Sequence, residues 1–283
     1  PRWASRAGHK LEAALDAFAR GRHGLVLLPC GGGKTVVGVA AAAMVGGPIL
    51  VVVPSRMIAN QWHDTFISTA GVERDDIAVN RIGRRVSIVT YHTAAGRTAG
   101  NLLAQDWRMV IYDEVQSLPA DTFRLAAQIQ ADYRLGLTAT LVREDGRERE
   151  VAALVGPPLF DISWRELERQ GWIAPAHCVE IRVPLAVNER EALRYRISIV
   201  ERLLVRHESE PTLVVGTRLA GLVGTGERLG FPVVTGRDGV DMRAQMLDRF
   251  RAGDIRVLGL SRIGSVGIDL PDAAVLIQVS GTF

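Results

Sequence analysis

The chain has 283 residues, of which 47% are hydrophobic and 23% charged, an ordinary globular composition that leaves room for two domains of typical size. Its apolar runs are too short to span a bilayer and no basic-then-apolar leader stands at its start, so we expect a cytoplasmic protein without a membrane partner. We also expect a monomer. The net charge of +3 and the isoelectric point of about 9.2 permit nucleic acid binding but do not demonstrate it.

Cysteine and histidine usage argues against disulfides and against structural zinc. Only two cysteines occur, Cys30 and Cys178, and they are far apart and form no CxxC pair. The six histidines show no metal-ligand spacing. This usage fits a reducing cytosol.

Strands and helices alternate through the first half of the chain. In chain order we predict a helix over 10–20, a strand over 25–28, a helix over 36–45, a strand over 49–53, a helix over 56–66, strands over 86–90 and 109–112, a helix over 122–130 and a strand over 133–137. Because the strands are largely apolar throughout, both of their faces should be covered. With right-handed crossovers, this predicts an α/β fold: a parallel sheet with helices on both faces and ligands at the carboxyl ends of the strands.

The pattern is interrupted between the two halves and then starts again. The segment 143–150 is dense in charge, Gly156-Pro157-Pro158 breaks the chain, and a short helix is predicted over 164–171. Helices are then predicted over 188–207, 218–229 and 241–251, and strands over 212–216, 232–235, 255–260 and 274–279. We therefore predict a first domain over 1–160, a linker over 161–176 and a second domain of the same architecture over 177–283.

A glycine loop follows the first predicted strand. The run Gly31-Gly32-Gly33 leads into Lys34, Thr35 and an alanine-rich helix. Glycines let successive backbone N–H groups point at phosphates, and the helix N-terminus adds more donors. Lys34 would then neutralise the β- and γ-phosphates of ATP, and Thr35 would bind Mg²⁺. The pattern GxxxxGK[ST] has a glycine where this chain has Leu28, and the alternative is a flexible loop before an ordinary helix.

Two adjacent carboxylates, Asp113 and Glu114, end the apolar strand 109–112. Asp113 is expected in the Mg²⁺ shell, and Glu114 is expected to polarise the attacking water. The two acids should not share a role, because neighbours in an extended chain point to opposite sides. The alternative is an acid pair at the N-terminus of a helix.

The segment Thr138-Ala139-Thr140 follows the strand 133–137. Small hydroxyl residues at such a place can link the γ-phosphate site to whatever lies against the next domain. By itself the segment is equally compatible with a plain turn.

These motifs together resemble a known family. GKT at 33–35, DEVQ at 113–116 and TAT at 138–140 have the order and spacing of superfamily 2 helicases. The segments GLTATLVRED, GWIAPAHCVEI and IDLPDAAVLIQVSGTF resemble the XPB helicase family in its archaeal and bacterial form, and the resemblance covers roughly residues 25–283. It implies a DNA-dependent ATPase of the repair and transcription type, built from two RecA-like domains that close on ATP and carry DNA across both.

The resemblance also assigns roles to single residues. It implies that Thr138 and Thr140 couple hydrolysis to DNA movement. The further matches are Arg143, Glu144 and Asp145 for strand separation, Ser55, Arg56, Thr90, Tyr91 and His92 for the DNA backbone, and Gly267, Ile268 and Asp269 for ribose or the link between domains. The alternatives are a solvated charged loop for 143–145 and a helix-capping role for Asp269.

The chain departs from the family pattern at several places, of which two bear on hydrolysis. A further one is the adenine-reading glutamine expected near residue 10, where Lys10 and Leu11 stand instead. Gln116 stands where the family has histidine, and since glutamine still forms hydrogen bonds, we expect altered coupling and retained ATP binding. The chain stops at Phe283, before the family's QRxGRxxR element, so we expect a fragment whose second domain is incomplete at its C-terminus.

The leading hypothesis is an ATP-dependent and Mg²⁺-dependent DNA helicase or translocase of the XPB type. The resemblance implies 3′ to 5′ movement on single-stranded or junction DNA, and a repair nuclease or a transcription factor as partner. Because the arginines of QRxGRxxR are missing, the main alternative is a catalytically impaired DNA-binding module. A metabolic phosphate-loop kinase is a weaker alternative, because it explains neither the second α/β unit nor TATLVRED.

Overall fold

The computed structural model describes residues 6–29, 31–96, 99–118, 124–140, 148–171, 175, 177–182, 188–261 and 273–279. The chain forms two compact units, Pro1–Ala176 and His177–Phe283. Among the helices in the described ranges, none combines the length and apolarity needed to cross a membrane. Two groups of residues that the family resemblance singled out, 143–145 and 267–269, lie outside the described residues, and so does Cys30.

The first unit is built on a seven-stranded sheet in which all neighbouring strands run parallel. Its strands are β1 (His23–Leu27), β2 (Ile49–Val53), β3 (Ile77–Val79), β4 (Val86–Thr90), β5 (Trp107–Asp113), β6 (Ala131–Thr138) and β7 (Pro158–Asp161). Their order across the sheet is β3-β4-β2-β5-β6-β1-β7. The parallel α/β prediction is therefore confirmed for this half of the chain.

Helices cover both faces of this sheet. They are α1 (Arg6–Gly21), α2 (Lys34–Val45), α3 (Arg56–Ala70), α4 (Tyr91–Ala95), α5 (Ala99–Leu103), α6 (Arg124–Ala127), α7 (Glu148–Val155) and α8 (Trp164–Arg169). Strand β2 shows why both faces must be covered. Val51 and Val53 pack with α1, α2 and α3, whereas Leu50 and Val52 pack with α4 to α7. Each such valine or leucine contributes about 1.5–3 kcal/mol when it is fully buried.

The sequence pattern missed two elements at the end of the first unit. Helix α7 begins inside the charged stretch 143–150, because Val151 and Val155, one turn apart, give it a fully buried face. Strand β7 begins at Pro158, which a strand tolerates at its first position on a sheet edge. The Leu25 N–H donates to the Pro157 carbonyl at 2.9 Å and so joins this edge to β1.

The predicted helix 122–130 ends earlier in the structure than the sequence suggested. In the described residues it spans only Arg124–Ala127. The Arg134 guanidinium donates hydrogen bonds to the carbonyls of Ala127 and Ile129, so these groups are satisfied without further helical turns. A side chain from the next strand therefore ends the helix, which no local pattern reveals.

The second unit repeats the architecture on a smaller scale. It contains the helices α9 (Glu189–Arg206), α10 (Leu219–Leu229) and α11 (Val240–Arg251) and the strands β8 (Thr212–Gly216), β9 (Val233–Val234), β10 (Val257–Ser261) and β11 (Val275–Gln278). The four strands are parallel, in the order β11-β8-β10-β9. Apolar clusters lie on both faces of the sheet, so the prediction of a second unit with the same layered plan is confirmed.

Candidate active site

The carboxyl ends of five neighbouring strands bring the predicted residues of the first unit to one edge of its sheet. Across the strands β4, β2, β5, β6 and β1 these residues are, in order, Thr90, Ser55, Asp113, Thr138 and the glycines at 31–33. The register places Val53 beside Thr90, Asp113 beside Leu137, and Leu27 beside Thr138. Residues that are distant in sequence therefore share the edge at which parallel α/β sheets bind ligands.

The glycine loop has the backbone shape that an anion site requires. Gly33 adopts a left-handed conformation with φ of 84° at the N-cap of α2, which glycine tolerates without steric cost. A Cβ at Gly32 would lie 2.9 Å from the Pro29 carbonyl oxygen, so the loop also needs glycine there for space. The first N–H groups of α2 have no carbonyl partner within the helix and can meet phosphate oxygens.

Leu28 continues the strand where the generic phosphate-loop pattern has glycine. It is buried, and its N–H donates to the Thr138 carbonyl at 2.9 Å, which extends the pairing of β1 with β6. A leucine therefore fits at position 28, because the backbone is still extended there and the glycine loop turns only after it.

Lys34 and Glu114 meet at the centre of the edge. The Lys34 ammonium lies 3.7 Å from Glu114 Oε1, and it donates a long hydrogen bond of 3.4 Å to the Leu28 carbonyl. The two side chains are 12% and 27% exposed, so this ion pair is only partly screened by water. The cation of the glycine loop and the acid predicted to activate water are thus direct neighbours.

Asp113 is a buried carboxylate held by two hydrogen bonds. The Trp62 indole N–H donates to Oδ2 at 2.8 Å, and the Glu114 backbone N–H donates to Oδ1 at 3.0 Å. Burial raises the pKa of Asp113 to about 6; the Trp62 hydrogen bond lowers it, nearby Glu114 raises it, and Lys34 lowers it. A cation at this carboxylate would favour its charged form, which burial alone disfavours.

The backbone separates the two acids in a way the sequence argument did not foresee. That argument placed Asp113 and Glu114 on opposite sides of an extended chain, but β5 ends at Asp113 and Glu114 is not extended. Glu114 adopts a left-handed conformation with φ of 49° and ψ of 52° and leads into a 3₁₀ turn over Val115–Ser117. A non-glycine residue in this region is uncommon and typical of functional sites. The left-handed backbone at Glu114, and not strand alternation, therefore separates the two side chains.

Gln116 bonds directly to the neighbouring acid. Its Nε2 donates to Glu114 Oε2 at 2.6 Å, so Lys34 and Gln116 hold the two oxygens of the same carboxylate. Gln116 Oε1 is buried and has no hydrogen-bond partner among the described residues. A buried acceptor without a partner is costly, so this oxygen is suited to receive a donor from a bound ligand.

The Thr138 hydroxyl closes a tight turn beside the glycine loop. It donates to the Thr140 carbonyl at 2.6 Å and accepts the Thr140 N–H at 3.2 Å. Thr138 is fully buried between β1 and β5, whereas Thr140 is exposed. The turn is therefore anchored between the loop and the acids and carries an exposed residue outward.

A cavity of about 460 Å³ lies farther along the same edge, in front of the N-termini of α3 and α4. Its lining is made by Pro54, Ser55, Arg56, Thr90, His92, Thr93 and Gly96. The Ser55 hydroxyl accepts the Ile58 N–H at 3.4 Å, and the Thr90 hydroxyl accepts the Thr93 N–H at 3.2 Å. Hydroxyls, helix N-termini and an exposed arginine suit phosphate oxygens.

Tyr91 does not belong to this surface, although the family resemblance placed it with Thr90 and His92 on the DNA backbone. Its ring is buried, and its hydroxyl donates to the Asp113 backbone carbonyl at 2.9 Å. Burial raises its pKa well above the ordinary value, so the hydroxyl stays protonated as a donor. Tyr91 therefore holds the end of β5 by a hydrogen bond from within the core.

Trp62 is the residue of this site that the sequence did not reveal. Its position on α3 follows the apolar spacing of Ile58, Ala59 and Phe66, which predicts only a core residue. The one available signal was chemical, because a fully buried indole N–H usually requires a partner. Within the described ranges, no group of three or more His, Cys, Asp or Glu residues could hold a metal ion, so a metal at Asp113 would need further oxygen ligands.

Two family profiles match the chain. The profile of the type III restriction enzyme res subunit matches residues 5–143, and that of the ERCC3/RAD25/XPB C-terminal helicase matches residues 167–283. The chain is 41% identical to a DNA 3′-5′ helicase XPB of Mycobacterium tuberculosis, over 99% of the chain and 55% of that protein. It is 42% identical to the DNA 3′-5′ helicase XPB of Kineococcus radiotolerans, over 95% of the chain and 53% of that protein. The chain therefore spans about half the length of these curated relatives.

Solved structures show the same fold at low sequence identity. Saccharomyces cerevisiae Dbp5 bound to RNA and ADP BeF3 superposes with a TM-score of 0.70 at 15% identity, over 96% of this chain and 74% of that one. The helicase domain of Pyrococcus furiosus Hef superposes with a TM-score of 0.60 at 12% identity, over 96% and 89% of the two chains. These likenesses establish the RecA-like α/β fold, which the sequence predicted.

Proposed function

The chain belongs to the XPB-type family of superfamily 2 helicases, and from that premise we propose that it carries the ATP-hydrolysing part of a DNA helicase or translocase. The observation that carries this proposal is the meeting of Lys34 with Glu114 at 3.7 Å. A phosphate-binding loop and a water-activating acid must converge on one γ-phosphate, and here they follow β1 and β5, the two strands that flank β6.

In the proposed reaction the glycine loop binds the triphosphate. The backbone N–H groups around Gly31–Gly33 and the start of α2 would face the phosphates, and Lys34 would exchange its contact with Glu114 for the β- and γ-phosphates. Thr35 and Asp113 offer the hydroxyl and carboxylate oxygens that Mg²⁺ prefers. When bound, Mg²⁺ would neutralise charge that develops on the phosphate oxygens.

Glu114 is the proposed group that orients the attacking water and accepts its proton. Gln116 holds one of its oxygens at 2.6 Å and thereby limits the directions in which the other can point. The buried Oε1 of Gln116 lies in the same cluster and could accept a second hydrogen bond from the water. Thr138 and Thr140, which form a turn between these acids and the loop, are proposed to transmit hydrolysis to bound DNA.

The cavity in front of α3 and α4 is the proposed contact for the DNA backbone. Ser55, Arg56 and Thr90 line it, and their hydroxyl and guanidinium groups suit phosphate oxygens. Binding to single-stranded or junction DNA should therefore be phosphate-directed and weaken steeply with salt. The direction of movement, 3′ to 5′, and a transcription factor as partner are proposed from the names of the relatives, which include a subunit of general transcription and DNA repair factor IIH. A repair nuclease as partner is proposed from the family resemblance alone.

Steady-state ATPase assays with and without single-stranded DNA test the proposed function. We expect Mg²⁺-dependent hydrolysis that DNA accelerates, and no hydrolysis by the Lys34→Ala variant. A rate that does not respond to DNA would contradict the helicase proposal. Measurable DNA affinity with slow, DNA-insensitive turnover would instead favour a binding module.

A further inference from the structure

The Trp62 side chain connects its own helix, α3, with two other parts of the proposed site. It belongs to α3, its N–H donates to Asp113 Oδ2 at 2.8 Å, and its six-membered ring lies against Gly38 of α2. A Cβ on Gly38 would stand only 2.3 Å from the ring atom Cη2. Helix α2 begins at Lys34, so the indole is wedged between the phosphate-loop helix and the acid at the end of β5.

The hydrogen bond from Trp62 restrains the Asp113 carboxylate but leaves some of its acceptor positions unused. An ionised carboxylate offers about four acceptor positions. Within the described residues, Trp62 and the Glu114 N–H occupy one position on each oxygen. One position on each oxygen is therefore left for a cation, and the indole determines how the carboxylate plane is turned.

Helix α3 also forms part of the cavity proposed for the DNA backbone. Ser55 is its N-cap and Arg56 its first residue, and both line the cavity. Trp62 follows on the same rigid helix, packed against Phe66 with ring centroids 6.0 Å apart. A shift of α3 caused by a ligand at its first turn would therefore move the indole N–H relative to Asp113.

We propose that Trp62 is a positioning residue that orients Asp113 for Mg²⁺ and makes Mg²⁺–nucleotide binding sensitive to nucleic acid at the first turn of α3. This inference rests on the proposed function. Donors behind a metal-binding carboxylate fix its orientation, and their removal typically costs about 10- to 100-fold in metal affinity or activity. The sequence motifs of the site contain no residue with this role.

Trp62→Phe tests the role, because phenylalanine keeps an aromatic ring and removes the N–H. The chain offers a matched control in Trp107, which is also buried and donates its indole N–H at 2.9 Å to the Leu102 carbonyl, away from Asp113. Fluorescence anisotropy of labelled ADP, with Mg²⁺ and with EDTA, measures how much Mg²⁺ increases nucleotide affinity. We expect Trp62→Phe to reduce this Mg²⁺ effect by about tenfold or more and Trp107→Phe to leave it unchanged.

A second arm adds single-stranded DNA to the same titrations. We expect DNA to change the Mg²⁺–ADP affinity of the unmodified chain and of Trp107→Phe, and to have no such effect on Trp62→Phe. An unaltered Mg²⁺ effect in Trp62→Phe, or an unaltered response to DNA, would overturn the proposal. Absence of any Mg²⁺-dependent ADP binding in the unmodified chain would instead refute the proposed function itself.

Gly38→Ala tests the positioning role of Trp62 if Trp62→Phe does not fold. The added methyl group must push the indole away from its place, whereas Gly100 in α5 has open space around its Cβ position and supplies the control Gly100→Ala. We expect the Mg²⁺ effect to fall in Gly38→Ala and to persist in Gly100→Ala. Equal Mg²⁺ effects in these two variants would overturn the positioning role.

Discussion

The Lys34 ammonium lies 3.7 Å from Glu114 Oε1, so the cation of the phosphate loop and the proposed water-activating acid form a partly buried ion pair. A bound γ-phosphate would compete with Glu114 for this cation, since it carries the larger negative charge. Entry of the nucleotide would then release one oxygen of Glu114 for the attacking water, while Gln116 keeps its hold on the other.

Replacing Lys34 with alanine should abolish tight nucleotide binding. The loss of a charge-assisted contact with phosphate is worth about 1.5–3 kcal/mol, which corresponds to roughly a 10- to 100-fold weaker affinity for ATP. Equilibrium titration with labelled ATP measures this affinity. The control is Arg74→Ala, which removes an exposed cation from the 3₁₀ turn over Arg74–Asp76. Unchanged affinity in Lys34→Ala would contradict the assignment of the loop.

Glu114→Gln should bind ATP and fail to hydrolyse it. The amide keeps the shape of the side chain but cannot accept a proton, and the loss of a general base costs about 10²–10⁴-fold in rate. Single-turnover hydrolysis and ATP affinity should be measured together. Glu73→Gln, an exposed position without a side-chain capping bond, provides the comparison. Hydrolysis at the original rate would remove Glu114 from the mechanism.

Gln116 should affect turnover more than binding. Alanine at this position removes the 2.6 Å hydrogen bond to Glu114, and we expect kcat to fall about tenfold while KM for ATP changes little. Histidine restores a donor but titrates near pH 6.5, so Gln116→His should add an ionisation to the pH profile of kcat. Identical pH profiles for the histidine variant and the unmodified chain would show that this position does not act through Glu114.

Asp113 should destabilise the first unit at neutral pH when Mg²⁺ and nucleotide are omitted. Its pKa is raised from 3.8 to about 6 in the folded chain, so the folded state binds its proton more tightly than the unfolded state does. The stabilisation from that proton is complete below about pH 4 and is lost as the pH rises through about 6; the difference amounts to roughly 3 kcal/mol.

Asp113→Asn should therefore gain several degrees of unfolding temperature relative to the unmodified chain between pH 5 and pH 8, because the amide does not titrate. The amide N–H₂ also faces one of the two N–H donors to Asp113, and this cost is the same at both pH values. Thermal unfolding in EDTA across this pH range provides the measurement. Asp75→Asn, at an exposed position of the 3₁₀ turn, should follow the unmodified chain. If the unfolding temperatures of Asp113→Asn and the unmodified chain changed in parallel with pH, the raised pKa of Asp113 would not be contributing to stability.

Arg56→Ala should weaken binding of single-stranded DNA at every sequence and reduce its salt dependence. One lost phosphate contact lowers the slope of log K against log salt by about 1. Arg20→Ala is the matched comparison, because Arg20 is exposed near the end of α1, which leads to the amino end of β1 at the other edge of the sheet. If Arg56→Ala and Arg20→Ala gave equal slopes of log K against log salt, the cavity at α3 would be excluded as a DNA contact.

The sequence alone determined the layered plan of the protein, because apolar runs and turn signals are local properties. The strands Ile49–Val53 and Val86–Thr90 have the predicted bounds, and the glycines before Lys34 open a helix as their pattern requires. The motifs also identified the family, since a phosphate loop, an acid pair and a threonine turn occur in a characteristic order. Strand register then placed them on one edge without further assumptions.

Only the tertiary structure determined which side chains pack against and hydrogen-bond to the residues of these motifs. Trp62 and Tyr91 have the spacing of ordinary core residues, and their contacts with Asp113 exist because β2 lies beside β5 and β4 lies beside β2 in the sheet. The left-handed turn at Glu114 and the hydrogen bond from Gln116 likewise depend on the close packing around the end of β5. A hydrogen bond between residues far apart in the chain is set by strand order and helix packing, and neither is encoded in the periodicity of any one segment.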